Sequence, residues 1–382
     1  MGESLGDRAD RPPGALHDYG VVVATPSASG PSSGPRTGVH LRRTDENVRE
    51  IAAIAGDGVG DPVGMSGLVT DLTRRGMRAQ VPGTCVEWGF RWDDRDVATP
   101  RWWPQGITTS ADASDRDDFD GRRLLVTSWY SKTLDGTNHG SRVSVVDIDT
   151  LEYRHVLLVV PETTDGGVEL RPLTVHAGGL VWCGPYLHVA GTRRGLFTAR
   201  VDDIVRVEDT RRTFGYRYVL PVRFAYDAPS RDPATPGEPM RYSFLSLDRS
   251  ADPPELVAGE YGTEGMTTRL VRYPLDPDSY HLHAEEDGTS WPISLDEQGL
   301  GHMQGAAVVR GRYYVTTSHG RWRLGSLHVG TPGAFRRWPR AIPVGPEDIS
   351  YWPSQDMLWS LTEYPGRRFV FCVRRDRLDR LG

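Results

Sequence analysis

From Val81 onward, hydrophobic and polar residues alternate with a period of two along most of the chain. The stretch CVEWGFRW begins this pattern, and strand-turn-strand units follow it towards the C-terminus. Alternation over four to eight residues, bounded by turn residues, is typical of β-strands. The pattern therefore predicts an all-β domain over residues 81–382.

The strand units resemble one another. Each opens with a polar residue and an apolar first strand, continues into a second strand that ends in small or polar residues, and in most cases adds a third. Repeated units of three or four strands are typical of a β-propeller, in which each unit forms one blade. The polar residues that open the units are Gln105, His176, Arg223, Gln304 and Glu347.

These five opening residues favour a propeller of five blades. The alternative is a six-bladed ring in which residues 81–100 and 250–300 supply the missing strands. We expect the early strand CVEWGFRW to pair with the last strand, RRFVFCVRR. This pairing would close the ring and leave no exposed sheet edge.

Two shorter regions precede the propeller. Residues 1–43 are rich in Gly, Pro and Ser, a composition that buries too little apolar surface to fold, so we predict a disordered tail. Residues 44–80 carry apolar residues at helical spacing in NVREIAAIAG and SGLVTDLTRRGM. This segment is predicted to be a short helical N-terminal extension.

Composition narrows the function classes. The chain has 382 residues with a formal net charge of -6, and its basic residues are scattered, so neither nucleic acid nor a membrane surface is an expected partner. The first residues, MGESLGDRADRPPG, do not form a signal peptide. A cytoplasmic location is the expectation, with secretion as the alternative if the start site differs, and the oligomeric state is left open.

Propeller geometry predicts where a site should lie. The first strand of a blade lines the central channel and the second runs antiparallel to it, so the start of the first and the end of the second meet at one mouth. Residues at strand starts are Gln105, His176, Arg223, His302, Gln304, Glu347 and Asp348. Residues at the ends of second strands are Trp129, Tyr130, Arg193, Glu260, Tyr261, His319, Trp322, Glu363 and Tyr364.

Within this set we predict a catalytic centre of His176, His302 and Glu347, because histidine and carboxyl groups can transfer protons near neutral pH. The other residues are expected to bind a small-molecule substrate. Arginine would hold an anionic group, glutamine would form hydrogen bonds, and aromatic rings would form apolar walls. The predicted substrate-binding residues are Gln105, Arg223, Gln304, Trp129, Tyr130, Arg193, His319, Trp322, Glu363 and Tyr364.

Structural roles are the competing interpretation. The two glutamines would then bond neighbouring backbone or channel water, Arg223 would pair with Glu347 across the channel, and the aromatic rings would pack in the core. No cofactor is predicted. A divalent metal is a weaker alternative, because its potential ligands His176, His302, His319 and Glu347 come from different blades without a short binding motif.

Several stretches taken together carry a resemblance to a known family. They are WWPQGITTSADA, SRVSVVDI, VHAGGLVWCGPYLHVAGT, GHMQGAAVV and PEDISYWPSQDMLWSLTEYPGRRFVFCV. The chain resembles an uncharacterised family of actinobacterial propeller-like proteins, often of secreted type. The resemblance implies the fold and no particular reaction. Because this sequence lacks an export signal, it leaves room for a cytoplasmic member in specialised metabolite biosynthesis.

The opening residues differ from unit to unit, which favours one asymmetric site over a repeated binding site. We therefore expect an enzyme that transforms a small molecule by acid-base catalysis, of lyase, isomerase, cyclase or hydrolase type. A paired-carboxylate glycosidase fits less well, because Gln105 stands where such an enzyme has an acid. The alternative is a non-catalytic binding module for a glycan, peptide or protein partner.

Overall fold

The protein is described by a computed structural model for residues 39–229 and 238–380. Most of the predicted disordered tail lies outside these residues, and there the prediction stays open; its last residues, Leu41–Arg43, form a paired strand. Strands dominate the described chain. In chain order they are β1 (Leu41–Arg43), β2 (Gly60–Pro62), β3 (Arg74–Arg75), β4 (Met77–Arg78), β5 (Val86–Arg91), β6 (Trp102–Thr109), β7 (Leu124–Ser131), β8 (Ser141–Asp147), β9 (Glu152–Thr164), β10 (Gly167–Pro172), β11 (Leu180–Cys183), β12 (Tyr186–Ala190), β13 (Leu196–Arg200), β14 (Val205–Val207), β15 (Tyr218–Asp227), β16 (Phe244–Asp248), β17 (Glu255–Gly259), β18 (Leu270–Pro274), β19 (Thr289–Ser290), β20 (Ser294–Asp296), β21 (Met303–Val309), β22 (Arg312–Thr317), β23 (Gly325–Thr331), β24 (Ala334–Ile342), β25 (Pro346–Trp352), β26 (Met357–Thr362) and β27 (Phe369–Arg374).

Helices are short and lie mainly near the ends of the described chain. The α-helices are α1 (Val48–Gly56), α2 (Gly64–Leu68), α3 (Asp94–Ala98), α4 (Ser110–Ala113) and α5 (Arg375–Arg380), and the 3-10 helices are Val201–Asp203, Thr210–Thr213 and Pro353–Gln355. Among the described helices, none has the length and apolar character needed to cross a membrane.

Sheet pairing groups most strands into antiparallel runs of four, which we call units 1 to 5. Unit 1 is β6 to β9, unit 2 is β11, β12, β13 and β15, unit 3 is β16, β17, β18 and β20, unit 4 is β21 to β24, and unit 5 is β25, β26, β27 and β5. The predicted all-β propeller class is confirmed. The blade count stays a prediction, because β9 and β15 also pair in parallel and merge units 1 and 2 into one sheet.

The first strands of the units lie side by side around a central channel, and small residues allow them to approach closely. A Cβ atom on Gly179 would lie 2.2 Å from the backbone nitrogen of Leu245, and one on Gly305 would lie 2.7 Å from Cα of Asp348. Only glycine tolerates such backbone contact. These glycines set the spacing between neighbouring units at the channel.

The predicted closure of the ring is confirmed. Strand β5, from the N-terminal side of the chain, pairs antiparallel with β27, and Trp88 lies opposite Cys372. Unit 5 is therefore assembled from both ends of the propeller sequence. The facing edges of β5 and β27 are paired with each other, so neither of these edges is left exposed.

The predicted strand order is wrong in one region. Arg223, which was predicted to open a unit, lies in the stretch LPVRFAYD of β15, and β15 is the outer strand of unit 2 and not the first strand of unit 3. The first strand of unit 3 is β16. The segment between β13 and β15 is long enough to resemble a connection between two blades. Periodicity alone therefore assigned β15 to the following unit.

The predicted helical extension is present but is not a separate appendage. Helices α1 and α2 lie within residues 44–80, and the same segment contributes strands to the sheets. Strand β2 pairs with β14, β3 pairs with β9, and β4 pairs with β5. Strands of two or three residues are too short to show a period of two, so the sequence did not reveal them.

Candidate functional site

A cavity of about 440 Å³ lies at one mouth of the channel. It unites six of the residues predicted from sequence to lie at the mouth, and those six are Gln105, His176, Tyr261, Gln304, Glu347 and Glu363. The complete lining is Gln105, His176, Thr192, Arg241, Ser243, Tyr261, Met266, Gln304, Glu347 and Glu363.

The strand geometry explains why these side chains meet. Gln304 and Glu347 lie at the second position of β21 and β25, which are first strands of their units. Glu363 directly follows β26, and Thr192 lies just beyond β12; both are second strands. Starts of first strands and ends of second strands therefore meet at one mouth, as predicted.

Glu347 is a buried carboxyl group at the base of the cavity, with only 4% of its surface exposed. The Nε2 atom of Gln304 donates a hydrogen bond to its Oε1 atom at 3.4 Å. Burial raises the pKa of Glu347 well above its usual range, and the nearby Glu363 and Asp348 carboxyls raise it further. Glu347 is therefore suited to hold a proton at neutral pH.

Glu363 is half-buried beside it. Burial raises the pKa of this carboxyl, while a hydrogen bond with Tyr364, the positive charge of Lys132 and a hydrogen bond with Gln105 act in the opposite direction. Because the two carboxyls repel each other when both are ionised, the site favours one protonated and one ionised group. This is the arrangement that an acid-base pair requires.

His176 lines the same cavity. Its ring lies 4.4 Å from the ring of Tyr130, measured between centroids. Desolvation lowers the pKa of His176, and the charge of Lys132 lowers it further. The imidazole is therefore neutral near pH 7 and able to accept a proton. Tyr130, also predicted to bind substrate, packs against His176 and does not line the cavity itself.

His302 does not line the cavity, but it contacts a residue that does. It is exposed, and its Nδ1 atom is 3.3 Å from the hydroxyl of Tyr261, which does line the cavity. The predicted trio of His176, His302 and Glu347 is thus divided between the lining and a neighbouring position. The catalytic role of each residue stays a prediction.

Two predicted substrate-binding residues lie elsewhere. Arg223, on β15, is held by Asp203 at 2.7 Å and by Glu46 at 3.2 Å, so it neither lines the mouth nor pairs with Glu347. Trp129 is fully buried and packs against Trp92, with ring centroids 5.0 Å apart. Both placements were wrong: the first followed from the misassigned strand, and the second from taking both neighbours in WY as facing one side.

Four further predicted residues lie outside the lining. Trp322 has 83% of its surface exposed, and Tyr364 packs edge-on against Trp103 at 6.0 Å. His319 is bonded to Ser326, with its Nε2 atom 2.8 Å from the serine Oγ. Arg193 is exposed and follows the lining residue Thr192 directly. Substrate contact by these four residues remains a prediction.

Sequence reasoning missed four lining residues, which are Thr192, Arg241, Ser243 and Met266. Ser243 directly precedes β16, so the rule about strand starts would have found it if β16 had been assigned as the first strand of unit 3. Arg241 has 9% of its surface exposed and donates from its Nη2 atom to the carbonyl of Thr267 at 2.8 Å.

A metal site has no support from side-chain placement. Across residues 39–229 and 238–380, no three His, Cys, Asp or Glu side chains are positioned to bind one ion. The predicted absence of a cofactor is a separate matter and stays a prediction.

Comparisons with known proteins give fold-level likeness only. No protein-family model matches the chain, and no curated protein matches it. Solved structures that align with it include a GH43_1 enzyme from Xanthomonas citri (13% identity, 73% of this chain and 88% of that chain, TM-score 0.35). Others are the gluconolactonase XC5397 from Xanthomonas campestris (13%, 79% and 86%, 0.35) and glutaminyl cyclase from Myxococcus xanthus (12%, 71% and 93%, 0.30). At such TM-scores these likenesses carry no argument about this chain.

Proposed function

We propose that this protein is an enzyme that transforms a small polar molecule by acid-base catalysis in the cavity at the channel mouth. The observation that carries the proposal is the pair of carboxyl groups, Glu347 and Glu363, that share one accessible cavity and both have raised pKa values. Groups with shifted pKa values that lie together in a cleft are characteristic of catalytic sites.

In this proposal the two carboxyls have different roles. Glu347 is the more buried and keeps its proton, so it acts as the general acid. Burial raises the pKa of Glu363 as well, but Tyr364, Lys132 and Gln105 oppose this rise, so Glu363 is the carboxyl that ionises first and acts as the general base. Proton transfer between substrate and these groups suits lyase, isomerase, cyclase and hydrolase reactions, and it requires no redox cofactor.

A binding module is the second candidate, favoured by one observation. Trp322 has 83% of its surface exposed, and the guanidinium of Arg367 lies 5.4 Å from its ring centroid. An exposed indole is a common anchor for a glycan or peptide. In this case the polar cavity would recognise a ligand without converting it.

The test of the proposed function compares the wild-type protein with Glu347→Gln and Glu363→Gln. Each protein is incubated with a mixture of polar metabolites, and the consumption of each compound is followed by mass spectrometry. We expect the wild type to convert at least one compound and each variant to slow this conversion by about 100-fold or more, since general acid-base groups contribute at that level.

The matched control is Glu264→Gln, a change at an exposed glutamate outside the cavity lining, which should leave conversion unchanged. Melting temperatures show whether each variant is folded. Retained conversion in both folded carboxyl variants would contradict the proposal. Ligand capture without conversion in every protein, weakened by Trp322→Ala, would support the binding module instead.

A further inference from the structure

A second cavity, of about 560 Å³, lies away from the channel mouth and shares no lining residue with it. It is formed where β3, α3, β8, β9 and the segment after the Thr210–Thr213 helix meet. Its lining is Thr73, Arg74, Arg95, Asp96, Thr99, Arg101, Trp102, His139, Arg142, Arg154, His155, Phe214, Gly215, Tyr216 and Arg217. We call it the arginine cavity.

The charge of this lining is strongly one-sided. Six arginines face a single acid, Asp96. This contrasts with the whole chain, which has a net charge of -6 and scattered basic residues. A concave surface with one sign of charge raises the local concentration of ligands of the opposite sign.

The base of the arginine cavity is built from buried, fixed polar groups. Arg142 has 3% of its surface exposed, and it donates to the hydroxyl of Tyr216 and to Oδ1 of Asp96, each at 2.8 Å. Its Nε atom is buried and has no hydrogen-bond partner within the described chain. His155 is 2.8 Å from Asp96 through Nε2 and 2.8 Å from Ser144 through Nδ1. These hydrogen bonds fix the Arg142 guanidinium and the His155 ring in place.

Asp96 cannot neutralise the whole cavity. It accepts from Arg142 at 2.8 Å and from Arg74 at 3.1 Å, so its single charge is already shared between two guanidiniums. Arg74 also reaches Asp93 at 2.7 Å, outside the lining. The positive charges of the remaining arginines must therefore be neutralised by groups other than Asp96.

Two of the remaining arginines are held in place, and two have no acidic partner within residues 39–229 and 238–380. Arg101 donates to the carbonyl of Thr137 at 2.8 Å and lies 3.9 Å from Asp135. Arg154 donates to Thr73 at 2.5 Å and lies 3.5 Å from Asp71. The other two, Arg95 and Arg217, are exposed and form no ion pair with any residue that the structure describes.

Flat side chains form the remaining wall. The rings of His139 and Phe214 are stacked, with centroids 4.0 Å apart, and Trp102 lies edge-on to Tyr216 at 5.9 Å. The guanidinium of Arg142 lies 4.5 Å from the Trp102 ring. Guanidiniums packed on rings lose little freedom when they bind an anion, which favours binding.

We infer that the arginine cavity binds a small ligand with several anionic oxygens, as phosphate or carboxylate groups. Arg95 and Arg217 supply exposed positive charge that no described acid pairs with, and Arg142 adds a fixed guanidinium at the base. Guanidiniums form bidentate, charge-assisted hydrogen bonds with both oxyanions. The volume of about 560 Å³ lies within the range typical of small-molecule sites.

The test uses sodium pyrophosphate and sodium citrate as separate probes with the full-length protein, in thermal-shift and calorimetric titrations. Sodium chloride at matched ionic strength is the reference. We expect saturable binding of at least one probe, a higher melting temperature at saturation, and an affinity that falls as salt rises. Binding of pyrophosphate alone would identify a phosphate ligand, and binding of citrate alone a polycarboxylate.

The decisive variants are Arg217→Gln and Arg95→Gln, which remove exposed, unpaired charges and should leave the melting temperature without ligand unchanged. Each should weaken binding by roughly tenfold, as expected for a charged hydrogen bond. Arg116→Gln is the matched control, because Arg116 is also exposed but lies outside the arginine cavity. The inference would be overturned if neither probe raised the melting temperature more than sodium chloride does. It would also be overturned if Arg95→Gln and Arg217→Gln bound the probe as tightly as Arg116→Gln.

Discussion

At the scale of single residues, the most unusual group is Asp348 inside the channel. Its Oδ2 atom accepts hydrogen bonds from the backbone nitrogens of Ile107 at 3.3 Å and Leu180 at 3.2 Å. It therefore connects unit 5 with units 1 and 2. Burial raises the pKa of Asp348 well above its usual range, although backbone hydrogen bonds oppose this. The folded protein consequently retains a proton on Asp348 at pH values where the carboxyl of the unfolded chain is already ionised.

This proton predicts a pH-dependent stability. Because the pKa of Asp348 is raised on folding, its contribution is greatest below the pKa of the unfolded carboxyl and is lost as the pH rises towards the folded value. Each tenfold difference in proton affinity corresponds to about 1.4 kcal/mol. Asp348→Asn mimics the protonated carboxyl, so urea unfolding should show that wild type loses more stability than the variant between pH 5 and pH 8.

Asp45→Asn, a change at an exposed carboxyl, is the control and should retain the pH dependence of wild type. If Asp348→Asn follows wild type in parallel across this range, then Asp348 is ionised in the folded protein and the prediction is wrong.

The residues at the mouth show what a sequence can predict at this scale. The rule that first strands start at the channel mouth correctly placed Gln105, Gln304 and Glu347 in the cavity lining. It succeeded because the position of a residue along its strand can be read directly from the sequence. Trp129 and Tyr130 show the limit. They are neighbours on β7, so they point to opposite faces, and only packing against Trp92 decides which ring is in the core.

At the scale of elements, Arg368 joins the mouth to helix α3. It lies between β26 and β27 with no exposed surface, and it donates to the carbonyls of Glu363, Asp96 and Thr99, each at 2.8 Å. Burial lowers the pKa of Arg368 to about 10, and the charge of Arg142 contributes. The side chain remains charged at neutral pH and satisfies three buried carbonyls.

Removing this connection should be costly. Arg368→Met leaves those carbonyls without a donor and should lower the free energy of unfolding by about 3 kcal/mol, measured by urea titration. Because Arg368 holds the Glu363 backbone, the variant should also slow any reaction at the mouth. The neighbouring Arg367→Met is a matched control, since the Arg367 guanidinium lies over the Trp322 and Tyr364 rings and the change keeps the backbone, and it should cost less than about 1 kcal/mol. Equal losses would refute a special role for Arg368.

The misassignment of β15 has its cause at this scale. A period of two identifies a strand but not its place within a unit, and β15 and β16 have equally buried patterns. The order is decided by contacts far apart in sequence, such as the parallel pairing of Val219 with Leu157. Periodicity therefore predicted that these strands exist, and it could not predict which one lines the channel.

At the scale of the whole molecule, the ring depends on the pairing of β5 with β27. Sequence predicted this pairing, because both stretches were strands without another evident partner. Gly89 in β5 allows it: a Cβ atom there would lie 2.5 Å from the carbonyl oxygen of Val370 and 2.7 Å from Cγ2 of Val81. Such contacts require the closing strand to shift away from its partner.

Gly89→Ala should therefore lower the free energy of unfolding by about 1–3 kcal/mol, the usual cost of overpacking. Since β5 closes the ring, hydrogen exchange should accelerate first in β5 and β27, where local opening exposes two strand edges. Gly166→Ala is the control, because the nearest atom to a Cβ there is 3.9 Å away. If Gly89→Ala unfolds at the same urea concentration as Gly166→Ala and exchange in β27 is unchanged, ring closure does not depend on the close approach at Gly89, and the stability of the ring lies in the contacts of its first strands instead.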